Sequence, residues 1–438
     1  MKTEKKKIQK KRTTRKSKFI KLRGDRMIWL IVALLAMISI VSVFSSSNAL
    51  AYKFHTTTFT FLLKQMLYVG IGLLCMVGCY SIPIGWYRKY SSPLLVLSWV
   101  LLFYTIFGGS SLNHARRWIH IWKFTFQPSE FAKIAIILYL GRTLEVFSIK
   151  TFKEYFIRIL TPCAITIILC LTGSVSVAII VAIICFIIIW IANIDSKFIW
   201  RTVGIALIGV LVIFGIHQLF GTFQRLDTFT ARIERYVKGS DVKNMTEAEL
   251  EEYNAKNYQA EQAKEAIQLG GIFGRGPGNS IKKDTLPHPY SDFIYTIIIE
   301  ETGIIGAIVV LLLYIWFLFR CIAIAQACKK VFSTITVLGI GALITTQAFM
   351  HILVNVGILP VTGQTLPLIS LGGSSTLVMG CAFGIVLSIN RTIEIKIEKE
   401  KIAEKEAEAK AKYEEELLKS AMDDNNNEQK NEKEKNNN

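Results

Sequence analysis

Apolar residues in this chain neither alternate with polar ones nor keep to a single helical stripe. They run in long blocks separated by short polar stretches. Ten blocks, at residues 27–47, 60–82, 91–107, 127–147, 156–173, 175–194, 199–219, 291–319, 332–357 and 367–390, are read as membrane spans. Crossing the roughly 30 Å hydrocarbon layer takes about 20 helical residues. Inside lipid every backbone N–H and C=O must be paired within the chain, and the blocks lack the dyad alternation of barrel strands, so helices are expected. The expected fold is an all-α integral membrane protein of ten transmembrane helices. A large extracytoplasmic loop, residues 220–290, falls between the seventh and eighth.

Composition changes that picture little. With 52% hydrophobic and 19% charged residues and a mean hydropathy of +0.40, a soluble globular domain is excluded. Charge adds orientation. The net +18 is concentrated in residues 1–26, where 13 Lys or Arg face only Glu4 and Asp25. Such an arm can bind nucleic acid, but ahead of a first span its expected role is to hold that end in the cytoplasm beside anionic lipid. No nucleic-acid partner is expected. The first apolar block is span-length and has no small-residue cleavage pattern, unlike a cleavable signal peptide. Arg88-Lys89, Arg142 to Arg158, Lys197 with Arg201, and Arg320 with Lys329-Lys330 all fall on the arm's side, while 358–366 carries no charge. Both termini are therefore expected in the cytoplasm and the 220–290 loop outside. Three regions follow: a basic arm 1–26, a membrane domain 27–390, and a charged tail 391–438, helical to about 421 and disordered from about 423. All eight cysteines lie in or beside spans, so no disulfide framework is expected.

Four clusters carry candidate chemistry. Asn113-His114-Ala115-Arg116-Arg117-Trp118 precedes Gln127-Pro128-Ser129-Glu130 and Lys133. Arginine forks suit phosphate oxygens, although contact with lipid headgroups explains Arg116 and Arg117 equally well. Glu130 and Lys133, three apart, share a helix face; they either line a substrate path or neutralise each other in the bundle. In the outer loop, residues 243–269 look helical and Gly270-Gly271 to Gly278 turn-forming. That string is no P-loop, because no Gly-Lys-Ser/Thr ends it, and a tight re-entrant turn is the safer reading. The third cluster is Leu286-Pro287-His288-Pro289-Tyr290-Ser291-Asp292 with Glu300-Glu301-x-Gly303. A carboxylate where loop meets span is costly to hold, which makes Asp292 a candidate acid or base; helix capping is its structural alternative. Glu300 lies on the same face about 12 Å deeper and could pair with Lys64 or Lys133. The fourth cluster is His351, Asn355, Gly357 and Leu359-Pro360-Val361-Thr362-Gly363-Gln364-Thr365-Leu366-Pro367 through Ser370 to Ser374-Ser375. It suggests a non-helical loop dipping into the bundle to wall a cavity. Ser370 and Ser374 join the candidate ligand-binding set, whereas His351, with no second ligand suitably spaced, reads as a hydrogen-bonded helix residue.

Together these clusters, in order and spacing across 27–390, resemble the SEDS family (shape, elongation, division and sporulation proteins). The resemblance implies a glycosyltransferase that polymerises lipid II into peptidoglycan outside the cytoplasmic membrane. The chain looks more like the division-type FtsW branch than the RodA-like elongation branch, which implies a place at the septum. Asp292 matches the family's essential Asp and is assigned as general base. Arg116, Arg117, Glu130, Lys133, Glu300, Ser370 and Ser374 are expected to bind substrate or diphosphate. A divalent cation, Mg²⁺ or Mn²⁺, would ride on the substrate diphosphate; neither a metal cage nor an organic cofactor is expected. Implied partners are lipid II, the growing undecaprenyl-diphosphate-linked glycan, a class B penicillin-binding transpeptidase and other divisome membrane proteins. In one place the chain departs from the family: Leu171-Thr172-Gly173-Ser174-Val175-Ser176 stands where a Pro-Asp-x-Gly-Thr-like stretch is usual, so no role is assigned there. The rival class is a lipid II flippase, which needs the same charged cavity; a scaffold that recruits a partner enzyme is a third reading.

Overall fold

The computed structural model describes residues 23–53, 55–108, 110–112, 115–121, 124–220 and 247–435, with 227, 230, 231 and 233 besides. Its helices are α1 (Arg26–Ser46), α2 (Asn48–Lys53), α3 (Thr58–Ser81), α4 (Ile84–Gly108), α5 (Pro128–Val146) and α6 (Phe152–Gly173). They continue with α7 (Val175–Ile191), α8 (Ser196–Phe220), α9 (Glu247–Gly270), α10 (Ile294–Ala327), α11 (Val331–Asn355) and α12 (Gly373–Lys435). The chain is an all-α membrane protein. Among the described residues eight of these helices are long and apolar enough to cross a bilayer. The other two expected blocks are also helical, as α5 and α7. The first carries Glu130, Lys133, Arg142 and Glu145, and the second is only 17 residues long.

Local chemistry explains the boundaries. α4 starts seven residues before its expected block, at Ile84, and runs through Pro93. Proline has no N–H for the carbonyl four residues back. Arg142 compensates, donating from Nη1 to Lys89 O (3.3 Å) and to Ser92 Oγ (3.1 Å). Thr151 and Glu154 form a capping box that starts α6, and a π turn over Phe156–Leu160 precedes Thr161. Only Ser174 separates α6 from α7, and the two helices pack against each other. The bundle interior is lined by α5, α7, α10 and α11, with Ile137, Val181, Phe317 and Leu343 fully buried.

Two features differ from expectation. Residues 110–126 form a three-stranded antiparallel sheet, β1 (Ser110–Leu112), β2 (Ala115–Ile121) and β3 (Phe124–Phe126), in the order β1-β2-β3. The Arg-Arg-Trp-Ile-His-Ile stretch is thus a strand between two short partners. The pairing slips between Ser110↔Trp118 and Ser111↔Arg116, so Arg117 is the extra residue of a bulge, a device that re-aims a side chain. At the other end, α12 runs to Lys435, past residue 423 where order was expected to stop. Once a helix is nucleated, each added residue gains a hydrogen bond. Residues Met27–Lys396 make one compact unit; in the other, Arg23 pairs with Glu398 at 2.9 Å.

Candidate active site

Asp292 ends a tight turn. His288, at a φ of 54°, offers its carbonyl to the N–H groups of Ser291 (3.2 Å), Asp292 (3.1 Å) and Phe293 (3.4 Å). The first turn of α10 is capped from elsewhere. Asn355 Oδ1 accepts from Thr296 N (3.0 Å) and Thr296 Oγ1 (2.9 Å), while Asn355 Nδ2 donates to Asp292 O (3.0 Å). The N-cap position belongs to Phe293, and no side chain there caps the helix. Asn355 thus bonds the first turn at Thr296 from across the bundle. The Asp292 side chain is half-buried.

The wall facing the carboxylate is the loop between α11 and α12. Gly363 has a φ of 66°, and a Cβ there would lie 3.3 Å from Asp292 Oδ2. Glycine suits both the left-handed backbone and the close approach. Side chains of α11 hold the neighbouring carbonyls: His351 Nδ1 donates to Gln364 O (2.6 Å) and Gln347 Nε2 to Thr365 O (3.1 Å). Two bonds stitch this loop to the Asp292 turn, Leu371 N to Tyr290 O (2.9 Å) and Ser370 Oγ to Ser291 O (2.7 Å). Burial, and then the nearby Asp292 charge, push the Tyr290 phenol above its ordinary range. His351 is the hydrogen-bonded helix residue expected of it.

The expected ligand set divides. Lys133 Nζ bonds Glu130 Oε1 (2.8 Å) and Gln347 Oε1 (2.6 Å), with only 1% of its side chain exposed. This buried pair joins α5 through Gln347 to the Thr365 carbonyl, and so to the loop over Asp292. Glu130 Oε2 is buried without a hydrogen-bond partner among the described residues. Glu300 meets neither Lys64 nor Lys133. Its carboxylate takes Ser280 Oγ and Ile281 N (2.7 Å), and Lys282 N at 3.3 Å, which ties down the outer loop. Glu301 likewise accepts from Ser45 Oγ of α1. Ser370 both accepts from Leu366 N (2.8 Å) and donates to Ser291 O; buried Ser374 Oγ has no hydrogen-bond partner among the described residues. Arg117 borders a small, water-sized cleft with Thr105, Gln127, Ser129, Gly173 and Ser174. Asp292 does not line that cleft, while the departing stretch at 171–176 does. The Arg116 side chain lies outside the described residues, although its backbone belongs to β2.

The Gly-rich loop is the re-entrant turn expected of it rather than a phosphate cradle. Arg275 N and Gly276 N donate to the carbonyls of Glu300 (3.0 Å) and Glu301 (2.9 Å), and Ile304 N donates to Gly271 O (3.0 Å). The contact is backbone on backbone, at a kink where Gly303 leaves helical geometry with a φ of 70° and a ψ of −172°. A Cβ on Gly303 would collide with Ile272 O, and one on Gly274 with Glu301 O. Gln347 was not singled out from the sequence, and Asn355 was given no role beyond its place in the fourth cluster. The signal was present, since Gln347, His351 and Asn355 recur every four residues as a polar ridge on an apolar helix.

Comparison with known proteins sets this geometry in context. A family model described as Cell cycle protein, covering FtsW, RodA and SpoVE, matches residues 25–395. Stage V sporulation protein E of Bacillus subtilis is 33% identical over 85% of this chain and 98% of its own length. A probable peptidoglycan glycosyltransferase FtsW of Wigglesworthia glossinidia brevipalpis is 31% identical over 86% of this chain and 95% of its own. Among solved structures, a chain from a peptidoglycan synthase complex superposes with a TM-score of 0.66 at 22% identity, covering 84% of this chain and 98% of that one. Rod shape determining protein RodA of Thermus thermophilus superposes with a TM-score of 0.61, also at 22% identity, covering 85% and 98%. The two superpositions establish a shared fold.

Proposed function

Because the chain belongs to the FtsW, RodA and SpoVE family of cell cycle proteins, we propose that it polymerises lipid II into glycan strands on the outer face of the cytoplasmic membrane. The observation that carries this reading is the setting of Asp292. Its turn is fixed through its backbone, the helix it precedes is capped by Asn355, and its half-buried carboxylate lies against the Gly363 loop. A carboxylate so placed acts as general base. It takes the proton of the acceptor GlcNAc 4-hydroxyl as that oxygen attacks the anomeric carbon of the donor, and the C–O bond to undecaprenyl diphosphate breaks with inversion. Charge builds on the departing diphosphate, and arginine forks at the membrane edge stabilise it. Arg117, bordering the cleft, and Arg116 on the same strand take that role.

Lys133 and Glu130 contribute by holding the loop that faces the base, since both are buried and bonded to protein. The donor set does not fit a resident divalent cation. Among the described residues no cluster of three His, Cys, Asp or Glu is gathered, and Glu130, Glu300 and Glu301 already carry protein partners. Mg²⁺ or Mn²⁺ arriving on the diphosphate belongs to the substrate, and no step is routed through it.

Relatives named FtsW support the division-type branch over the elongation one. The fold shared with a chain of a peptidoglycan synthase complex supports a class B penicillin-binding transpeptidase as partner. Both termini are placed in the cytoplasm by the basic arm and short-loop charges. The test is detergent-solubilised protein incubated with lipid II, alone and with that partner. Glycan polymer is expected, and needs no sealed bilayer. Lipid II translocation in proteoliposomes with no polymer in either assay would replace this reading with the flippase.

A further inference from the structure

The outer hairpin at 271–276 has a feature that the proposed chemistry does not use. α10 exposes an apolar face of Ile304, Ile305, Ile308, Val309, Leu312 and Phe319. Buried Glu300 and Glu301 bound it on one side and Arg320 on the other. From Ile304 to Phe319 that face is roughly 24 Å long at 1.5 Å per residue, most of a hydrocarbon layer. The hairpin is registered along its outer end. Arg275 N and Gly276 N bond the carbonyls of Glu300 and Glu301, whereas Ile304 N and Ile305 N bond Gly271 O (3.0 Å) and Ile272 O (3.4 Å). The hairpin tip therefore lies level with the first lipid-facing turn of α10, not above it.

The tip residues are Ile272, 61% exposed, and Phe273, 81% exposed. Two large apolar side chains continuous with a lipid-facing surface have lipid as their natural neighbour. Just beyond the tip the chemistry turns cationic: Arg275 is exposed, and Lys283 reaches back to bond Gly278 O (2.6 Å). An aromatic residue beside long cationic side chains is the pattern of the membrane–water interface, where stems lie in hydrocarbon and charges meet headgroup phosphates.

We propose that Ile272–Phe273 is a membrane wedge, buried among acyl chains of the outer leaflet, with Arg275 at the phosphate level. The wedge fixes the height of the outer loop whose far end carries Asp292, and the inference does not depend on the polymerase reading. It is tested by placing the photo-crosslinking residue p-benzoylphenylalanine at Phe273 in the full chain, in phosphatidylcholine–phosphatidylglycerol nanodiscs and in native membranes. Leu312 serves as lipid-facing control and Asn279 as loop control. Lipid adducts at 273 should come within about twofold of those at 312 and exceed those at 279 by at least about fivefold. Equal yields at 273 and 279 would overturn the proposal. Adducts to protein at 273 in native membranes, with lipid adducts at 312, would overturn it too and make the tip a partner site. A second readout does not rely on crosslinking: in nanodiscs, Phe273→Glu should speed amide exchange at 271–276 by roughly tenfold while Phe273→Leu leaves it unchanged. Equal exchange in the two variants would also refute the wedge.

Discussion

Asn355 ties the site to α11: it bonds α10 at Thr296 and holds the carbonyl of Asp292. Asn355→Ala leaves those groups short of partners in a buried setting, at a cost of about 1–3 kcal/mol. Thermal unfolding should register that loss, and glycan polymerisation should fall further than the stability loss explains. Gly363→Ala separates position from stability more sharply. Its left-handed backbone costs an alanine roughly 1–2 kcal/mol, and the new methyl would sit 3.3 Å from Asp292 Oδ2. Polymerisation should drop by about tenfold or more with the protein still folded, since a small displacement of a base from its proton is costly. For the buried pair, Lys133→Ala strands Glu130 and should destabilise by about 3–5 kcal/mol. The double variant Glu130→Gln with Lys133→Met should regain folding. If it also regains full polymerisation, the pair serves stability alone; if polymerisation stays lost and Gln347→Met loses it as well, the pair acts through the link to the Thr365 carbonyl.

Elements with continuous apolar sequence were legible because bilayer thickness sets their length. α1, α3, α5, α7, α8, α10 and α11 begin within a few residues of the expected blocks. What escaped depends on partners far along the chain. α4 runs through Pro93 because Arg142, some fifty residues away, donates to the Lys89 carbonyl that the proline leaves unpaired. The three-stranded sheet was missed because long apolar blocks dominated the sequence, and its central strand alternates only at its end, in Ile119-His120-Ile121. Glu300 looked like a ligand group because a carboxylate at a span's edge usually is one; instead the outer loop bends back to meet it with amides. Glu300→Gln should therefore speed amide exchange at residues 280–283 and leave the lipid II KM unchanged. A raised KM with unchanged exchange would restore it to the substrate site. Asp292 itself was visible as a candidate, whereas the Asn355 contacts that hold its backbone and the first turn of α10 come from a residue some sixty positions away.

At the scale of the whole molecule, buried polar links run from α5 through α11 to the loop that faces Asp292, at the start of α10. Arg117 occupies a separate cleft beneath β2, so the account divides the labour, with the base on one wall and cations for the leaving group on another. Arg117→Ala should then raise the lipid II concentration needed for half-maximal rate without shifting the unfolding temperature. Loss of folding instead would make the arginine structural.

The central claim is that Asp292 removes the acceptor proton. Its most direct test is the rate of glycan polymerisation by purified Asp292→Asn protein supplied with lipid II, beside an unfolding curve of the same preparation. The account predicts an unfolding curve like that of the unaltered protein and no polymer above background. Polymer formed at a near-normal rate would contradict it.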